Sequence, residues 1–367
     1  MKKKLFFLAA AAVALASCSS DETTAENSSV SQANQPKEIA LMPVNQKATR
    51  GAGAILNGTF PTDNTMEVAC YQSAPTGASY FSKITFSLID DDDDVWHAST
   101  RKYWPLSPAT LNFYAVSGFG VDAADITIDN DLATAKVNYR KYDAGRTDGK
   151  ANPTGTTYGN TTQSDIMYAF NRGAVTLGAG SALSFNGGTT VSTSTVSMVF
   201  KHALSQIDFQ VKAADATTAG AITINSITLT GASYTGELTL TNGANVTAVS
   251  GDVTPTITWD ADAAENRTVP NVPTTLTYSA GTSADYRPAA PSNACLMIIP
   301  NATSAFTSFT INYTLDGKNY DYTYTPASTV AAAGYKYTYQ INFRLHEITI
   351  NPSVTPWTDS NTEINVQ

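Results

Sequence analysis

Three places in the chain carry residue types and spacings that suggest chemistry. Cys18 follows Leu15-Ala16-Ser17 at the end of an apolar run, the form of a bacterial lipobox, in which small residues precede a cysteine that is diacylated and becomes the new N-terminus. An ordinary cleaved signal with an incidental cysteine has the same outline. Arg50, the first arginine in the chain, stands in the small-residue stretch Ala48-Thr49-Arg50-Gly51, where a protease can reach the main chain; an unremarkable loop arginine fits equally. Asp90 to Asp94 sets five carboxylates in a row before Val95-Trp96. Consecutive carboxylates repel one another and resist burial, so they suit a solvated hairpin loop; they could also hold calcium, although the run lacks the alternate spacing and turn glycine of an EF-hand.

No catalytic constellation accompanies these. His97, His202 and His346 are the three histidines and no two are spaced as metal ligands. Gly51-Ala52-Gly53 and Gly118-Phe119-Gly120 lack the third glycine of a dinucleotide fingerprint, and neither a nucleophile elbow nor a P-loop occurs. The reading is therefore of a non-enzyme with no catalytic, cofactor-binding or metal-ligating residues and no cofactor. Trp96, Tyr103 and Trp104 read as core or rim packing, or as a platform for a sugar. Cys70 and Cys295 lie on separate apolar strands and are expected to be free, buried thiols. With 22 basic against 31 acidic residues, the net charge of -9 argues against a nucleic-acid partner, because phosphate binding needs a basic face.

The elements that must position these residues follow from composition and periodicity. At 14% charged, with many β-branched and aromatic residues, the chain reads as an all-β surface protein. Residues 1–17 form an export signal, with Lys2, Lys3 and Lys4 before an apolar core too short to remain as a membrane span. Residues 18–50 are a polar tether ending in the strand-like Glu38-Ile39-Ala40-Leu41-Met42-Pro43-Val44. Two domains are expected, 51–213 and 214–367. Between them, Val196, Met198 and Phe200 point one way, while Ile207, Phe209 and Val211 point the other. A period of two changes phase only through an extra residue, so a bend is expected near His202 to Ser205, where the strand passes to another sheet. Ile222, Ile224, Ile227 and Leu229 repeat the slip. Asp316-Gly317 predicts a two-residue type I′ hairpin that sets Tyr313 opposite Tyr320, Ile311 opposite Tyr322 and Phe309 opposite Tyr324. Tyr335 to Leu345 alternates as one long strand.

The runs RKYWPLSPATLNFYAV (Arg101 to Val116), QSDIMYAF (Gln163 to Phe170), VFKHALSQIDFQV (Val199 to Val211) and YKYTYQINF (Tyr335 to Phe343) resemble the fimbrillin-like (Mfa-like) family of Bacteroidales surface lipoproteins, the subunits of type V fimbriae. The resemblance implies an all-β fold of two antiparallel β-sandwich domains, Greek-key and transthyretin-like. It also implies a cell-surface location, anchorage in the outer membrane through lipid on Cys18, and a structural or accessory role in a fimbrium that supports adhesion. Its partners would be homologous subunits joined by strand exchange, together with a host or bacterial surface ligand. An Arg-specific protease would cut between Arg50 and Gly51, remove the N-terminal strand and open a groove. A strand from the next subunit would then enter, and the chain end, with Ile348, Ile350, Trp357, Ile364 and Val366, is the candidate donor, unless it pairs within its own domain. The alternative is a monomeric surface lipoprotein that binds a glycan or a host protein.

Overall fold

The computed structural model describes residues 36–45, 65–74, 78–88, 95–119, 126–129, 136–143, 165–177, 183–186, 195–214, 222–241, 256–269, 274–275, 287–288, 295–344 and 347–356. Regular structure among them is entirely strand. In chain order the first strands are β1 (Ala40–Asn45), β2 (Thr65–Ala74), β3 (Ala78–Leu88), β4 (Trp96–Ala98), β5 (Ala109–Phe119), β6 (Ile126–Asp129), β7 (Lys136–Asp143), β8 (Asp165–Leu177), β9 (Leu183–Asn186) and β10 (Thr195–His202). There follow β11 (Ser205–Ala213), β12 (Ile222–Ala232), β13 (Thr235–Thr241), β14 (Thr256–Ala261), β15 (Glu265–Thr268), β16 (Thr274–Thr275), β17 (Arg287–Pro288) and β18 (Cys295–Ile298). The last are β19 (Ser308–Leu315), β20 (Lys318–Tyr324), β21 (Tyr335–Arg344) and β22 (Glu347–Pro356).

One sheet runs β10-β1-β4-β3-β2-β5-β8-β9, and β10 also pairs with β8, so all its strands but β9 close into a ring. Where the first of two β-sandwiches was expected, the described strands make a sheet closed on itself, which leaves the ring strands without a free edge. Its interior is filled by Met66, Val68, Cys70, Phe86, Trp96, Trp104, Phe113, Met198 and Phe200. The expectation of purely antiparallel pairing is also corrected. β1 runs parallel to β10, and β11 runs parallel to β21. Each of these pairs joins strands far apart in the chain, a contact that no hairpin can make and that hairpin-based reading does not see.

Between β10 and β11 the chain breaks at Ala203-Leu204, both wholly buried, and changes sheet there. Four bonds hold the crossover. Ala203 N donates to Ile166 O at 2.9 Å, Gly334 N to Leu204 O at 2.8 Å, Trp259 Nε1 to Ala203 O at 3.0 Å and Ser205 Oγ to Ala332 O at 2.7 Å. Beyond it, β17-β11-β21-β22 with β18, and β15-β12-β19-β20 with β16, form two sheets. They meet face to face through Phe209 and Phe309 (ring centroids 4.9 Å), Phe309 and Tyr339 (5.0 Å) and Tyr313 and Phe343 (5.7 Å). A fourth sheet, β14-β13-β7-β6, draws β6 and β7 from the first half of the chain onto the second.

The two cores share a wall. In β2, β5 and β8 one set of side chains (Val68, Phe113, Met167) fills the ring, while the alternate set (Ala69, Tyr114, Val116, Ile166, Tyr168) belongs to the second core. Strands buried on both faces read as continuous apolar runs, which is why LNFYAV and DIMYAF do not alternate.

The Asp316-Gly317 turn has φ of 49° and 75° at its two residues, the type I′ signature. β19 and β20 pair in the expected register, Leu315 to Lys318 through Phe309 to Tyr324, and Tyr313 stacks on Tyr320 at 5.7 Å. The phase slip in β12 is a register shift between Ile224 and Ser226 against β19. β21 buries Tyr339, Ile341 and Phe343 as its alternation requires, but leaves Tyr335 39% exposed at its start.

Candidate functional site

The N-terminal strand is the element whose geometry points most directly to a function. β1 lies in the ring between β10 and β4, with Ala40 opposite Thr195 and Asn45 opposite Phe200 on one side, and Ala40 opposite His97 on the other. Its alternation explains the placement. Ile39 and Leu41 are fully buried in the ring interior, whereas Met42 is 39% exposed. Burial of two such side chains contributes about 1.5–3 kcal/mol each. Pairing with β4 is short, so on that side β1 is held mainly by its leading end. Ile39 N donates to Lys102 O at 2.7 Å, Trp104 N donates to Lys37 O at 2.8 Å, and Glu38 bridges to Tyr103.

Charge completes the hold. The Glu38 carboxylate accepts from His97 Nδ1 at 3.0 Å on β4 and is paired by its other oxygen with the Arg101 guanidinium. Glu38 keeps 18% of its side-chain surface, against 59% for Arg101, so the pair is half screened and its contribution is modest. Sequence reading did not single out Glu38. Its partners stand 59 and 63 positions away, beyond any local pattern.

Of the residues expected to act, Cys18, Arg50, Gly51, Asp90 to Asp94, Trp357, Ile364 and Val366 lie outside the described residues. Ile348 and Ile350 sit in β22, opposite Phe343 and Ile341 of the same chain, half-buried against the second core. Trp96 and Trp104 are buried in the ring, and Tyr103 is 45% exposed, its carbonyl accepting from Tyr80 Oη at 2.6 Å. His202 is buried at the crossover. Cys70 and Cys295 are free and buried, and burial pushes the Cys70 thiol well above its ordinary pKa. Among the described residues no group of His, Cys, Asp or Glu is placed to hold a metal.

The family signature described as fimbrillin-like matches residues 49–357, most of the chain and both of its cores. The chain belongs to the fimbrillin-like family. The matched region of this fimbrillin-like chain begins just after β1, one residue before Arg50. No curated protein matches it. Among solved structures it is similar to a protein provisionally described as a cell adhesion protein from Bacteroides uniformis, at 14% identity and a TM-score of 0.48, over 88% of this chain and 99% of the other. It is also similar to a fimbrial protein from Bacteroides vulgatus, at 15% identity and a TM-score of 0.46, over 88% of this chain and 100% of the other.

Proposed function

We propose that this fimbrillin-like protein is a non-enzymatic subunit of a cell-surface fimbrium, exported as a lipoprotein on Cys18 and assembled by protease-triggered strand exchange. The observation that carries the proposal is β1: a strand at the chain's leading end, flanked on both sides in a closed ring, with Ile39 and Leu41 in the interior. Hydrolysis of the Arg50–Gly51 peptide bond would separate this strand from the rest of the chain. Its departure would leave β10 and β4 with unpaired main-chain groups and two apolar vacancies, an arrangement that only another strand of alternating pattern can satisfy.

The donor would be the chain end of a neighbouring subunit. Ile348 and Ile350 pair with β21 of their own chain, the alternative to donation, so the proposed donor narrows to the part beyond β22, with Trp357, Ile364 and Val366. The lipid on Cys18 would hold the precursor at the outer membrane until the cut. The rival role, a monomeric surface lipoprotein that binds a glycan or host protein, has less to work with, because Trp96 and Trp104 are committed to the core.

The test is to treat the purified, unlipidated precursor with an Arg-specific protease and to follow it by intact mass and on gels without boiling, beside an Arg50→Gln control. A cut after Arg50 followed by a boiling-sensitive ladder that the control does not form is the expected result. A protein that is cut there and stays monomeric is not a polymerising subunit.

A further inference from the structure

The wall shared by the two cores carries a polar site that strand exchange does not use. Strand register sets Tyr71 opposite Asn112 and Asn112 opposite Arg172 in one row, with Tyr114 opposite Phe170 in the next. Arg172 is 9% exposed. Its Nε donates to Asn112 Oδ1 at 2.8 Å, and its main-chain N–H donates to Asn171 Oδ1 at 2.7 Å. Both terminal guanidinium nitrogens, however, are buried with no acceptor, and the Tyr114 hydroxyl is buried with no partner either. The two groups are close enough for their charges to act on each other. Burial pushes the guanidinium pKa down and the phenol pKa up, and each neighbour opposes the other's shift. Glu67, a buried carboxylate on the same strand as Tyr71, accepts from Thr85 Oγ1 at 2.7 Å, at the far end of β2 from the Tyr71 row.

What is left over in this site is rich in donors: two terminal NH2 groups of one fork, and a phenol that can donate its O–H. A buried guanidinium whose two terminal nitrogens lack an acceptor is costly, so the arrangement favours an anion. We propose that Asn112, Tyr114 and Arg172 form a buried binding site for a monocarboxylate group. The guanidinium fork matches a carboxylate through two parallel N–H···O bonds, with Nε already anchored to Asn112 and the Tyr114 hydroxyl as a third donor. One positive charge balances one negative charge; a phosphate dianion would leave a charge uncompensated in the same surroundings. The edge-to-face contacts of Tyr114 with Tyr71 (5.5 Å) and Phe170 (4.8 Å) hold the phenol in position and supply apolar walls for the rest of the ligand. This site is independent of β1 and of the proposed assembly.

The test uses the unlipidated full chain, titrated with sodium acetate against sodium chloride at equal ionic strength. The thermal midpoint and the arginine Nε–Hε resonances are followed. Acetate is expected to raise the midpoint and to shift one arginine resonance saturably. Tyr114→Phe, which keeps the ring, should bind acetate about fivefold more weakly, the loss of one hydrogen bond. Asn112→Asp, which places a carboxylate beside the guanidinium, should remove the response while the protein stays folded. An acetate response no different from that of chloride overturns the proposal, as does one that persists unchanged in both variants. Tighter binding of inorganic phosphate than of acetate overturns the choice of a monocarboxylate.

Discussion

At the scale of single residues, small groups set local energies. Gly317 has φ of 75°, and nothing stands within 4 Å of where a Cβ would be, so Gly317→Ala meets no clash and pays only for the left-handed backbone. Its cost should be about 1 kcal/mol, read from the denaturant midpoint with an unchanged slope. Gly236 is the opposite case. A Cβ there would stand 2.6 Å from Asp260 O and 2.9 Å from Ala261 Cα, both backbone atoms that cannot turn aside. Gly236→Ala should therefore cost more than Gly317→Ala in the same measurement. Cys70, wholly buried with its thiol pKa pushed up, should not react with a thiol reagent at pH 8 in the folded protein and should react fully once denaturant is added. The paired glycine and aspartate of the turn were legible from sequence, because a two-residue hairpin depends on its own two φ angles. Arg172 and Glu38 were not, because their meaning lies in partners from other strands.

At the scale of elements, β1 and the β10–β11 crossover matter most. Leu41→Ala should destabilise the protein by about 2–5 kcal/mol, the usual range for emptying a buried leucine site, and the loss should show as faster hydrogen exchange in β1 and β10. Glu38→Gln removes the charge that faces His97 and Arg101 while keeping the side chain's size. It should loosen the leading end of β1 by less than 1 kcal/mol, visible in exchange at Ile39 and Leu41 but hardly in global stability. The break at Ala203-Leu204 was readable in advance, since a change of phase in a two-residue repeat demands an irregularity. That β10 would take β1 as a parallel neighbour was not, because parallel pairing leaves no turn motif in the sequence.

At the scale of the whole molecule, the shared wall of β2, β5 and β8 couples the ring to the second core, since the same strands lose both sets of contacts if either core opens. Calorimetry should therefore show one unfolding transition, and Phe113→Ala in the ring and Phe209→Ala in the second core should each lower that single transition rather than split it. By itself the sequence determined the all-β class, several strand positions, the Asp316-Gly317 hairpin with its register and the family likeness, because alternation and turn chemistry act between residues near each other in the chain. Only the tertiary structure decided that the first sheet closes on itself around β1, that β6 and β7 cross to a sheet with β13, and that the terminal nitrogens of Arg172 are enclosed without an acceptor. Those outcomes depend on which distant strands meet, and the energy of such contacts arises only when chain segments far apart in sequence bury their surfaces against one another.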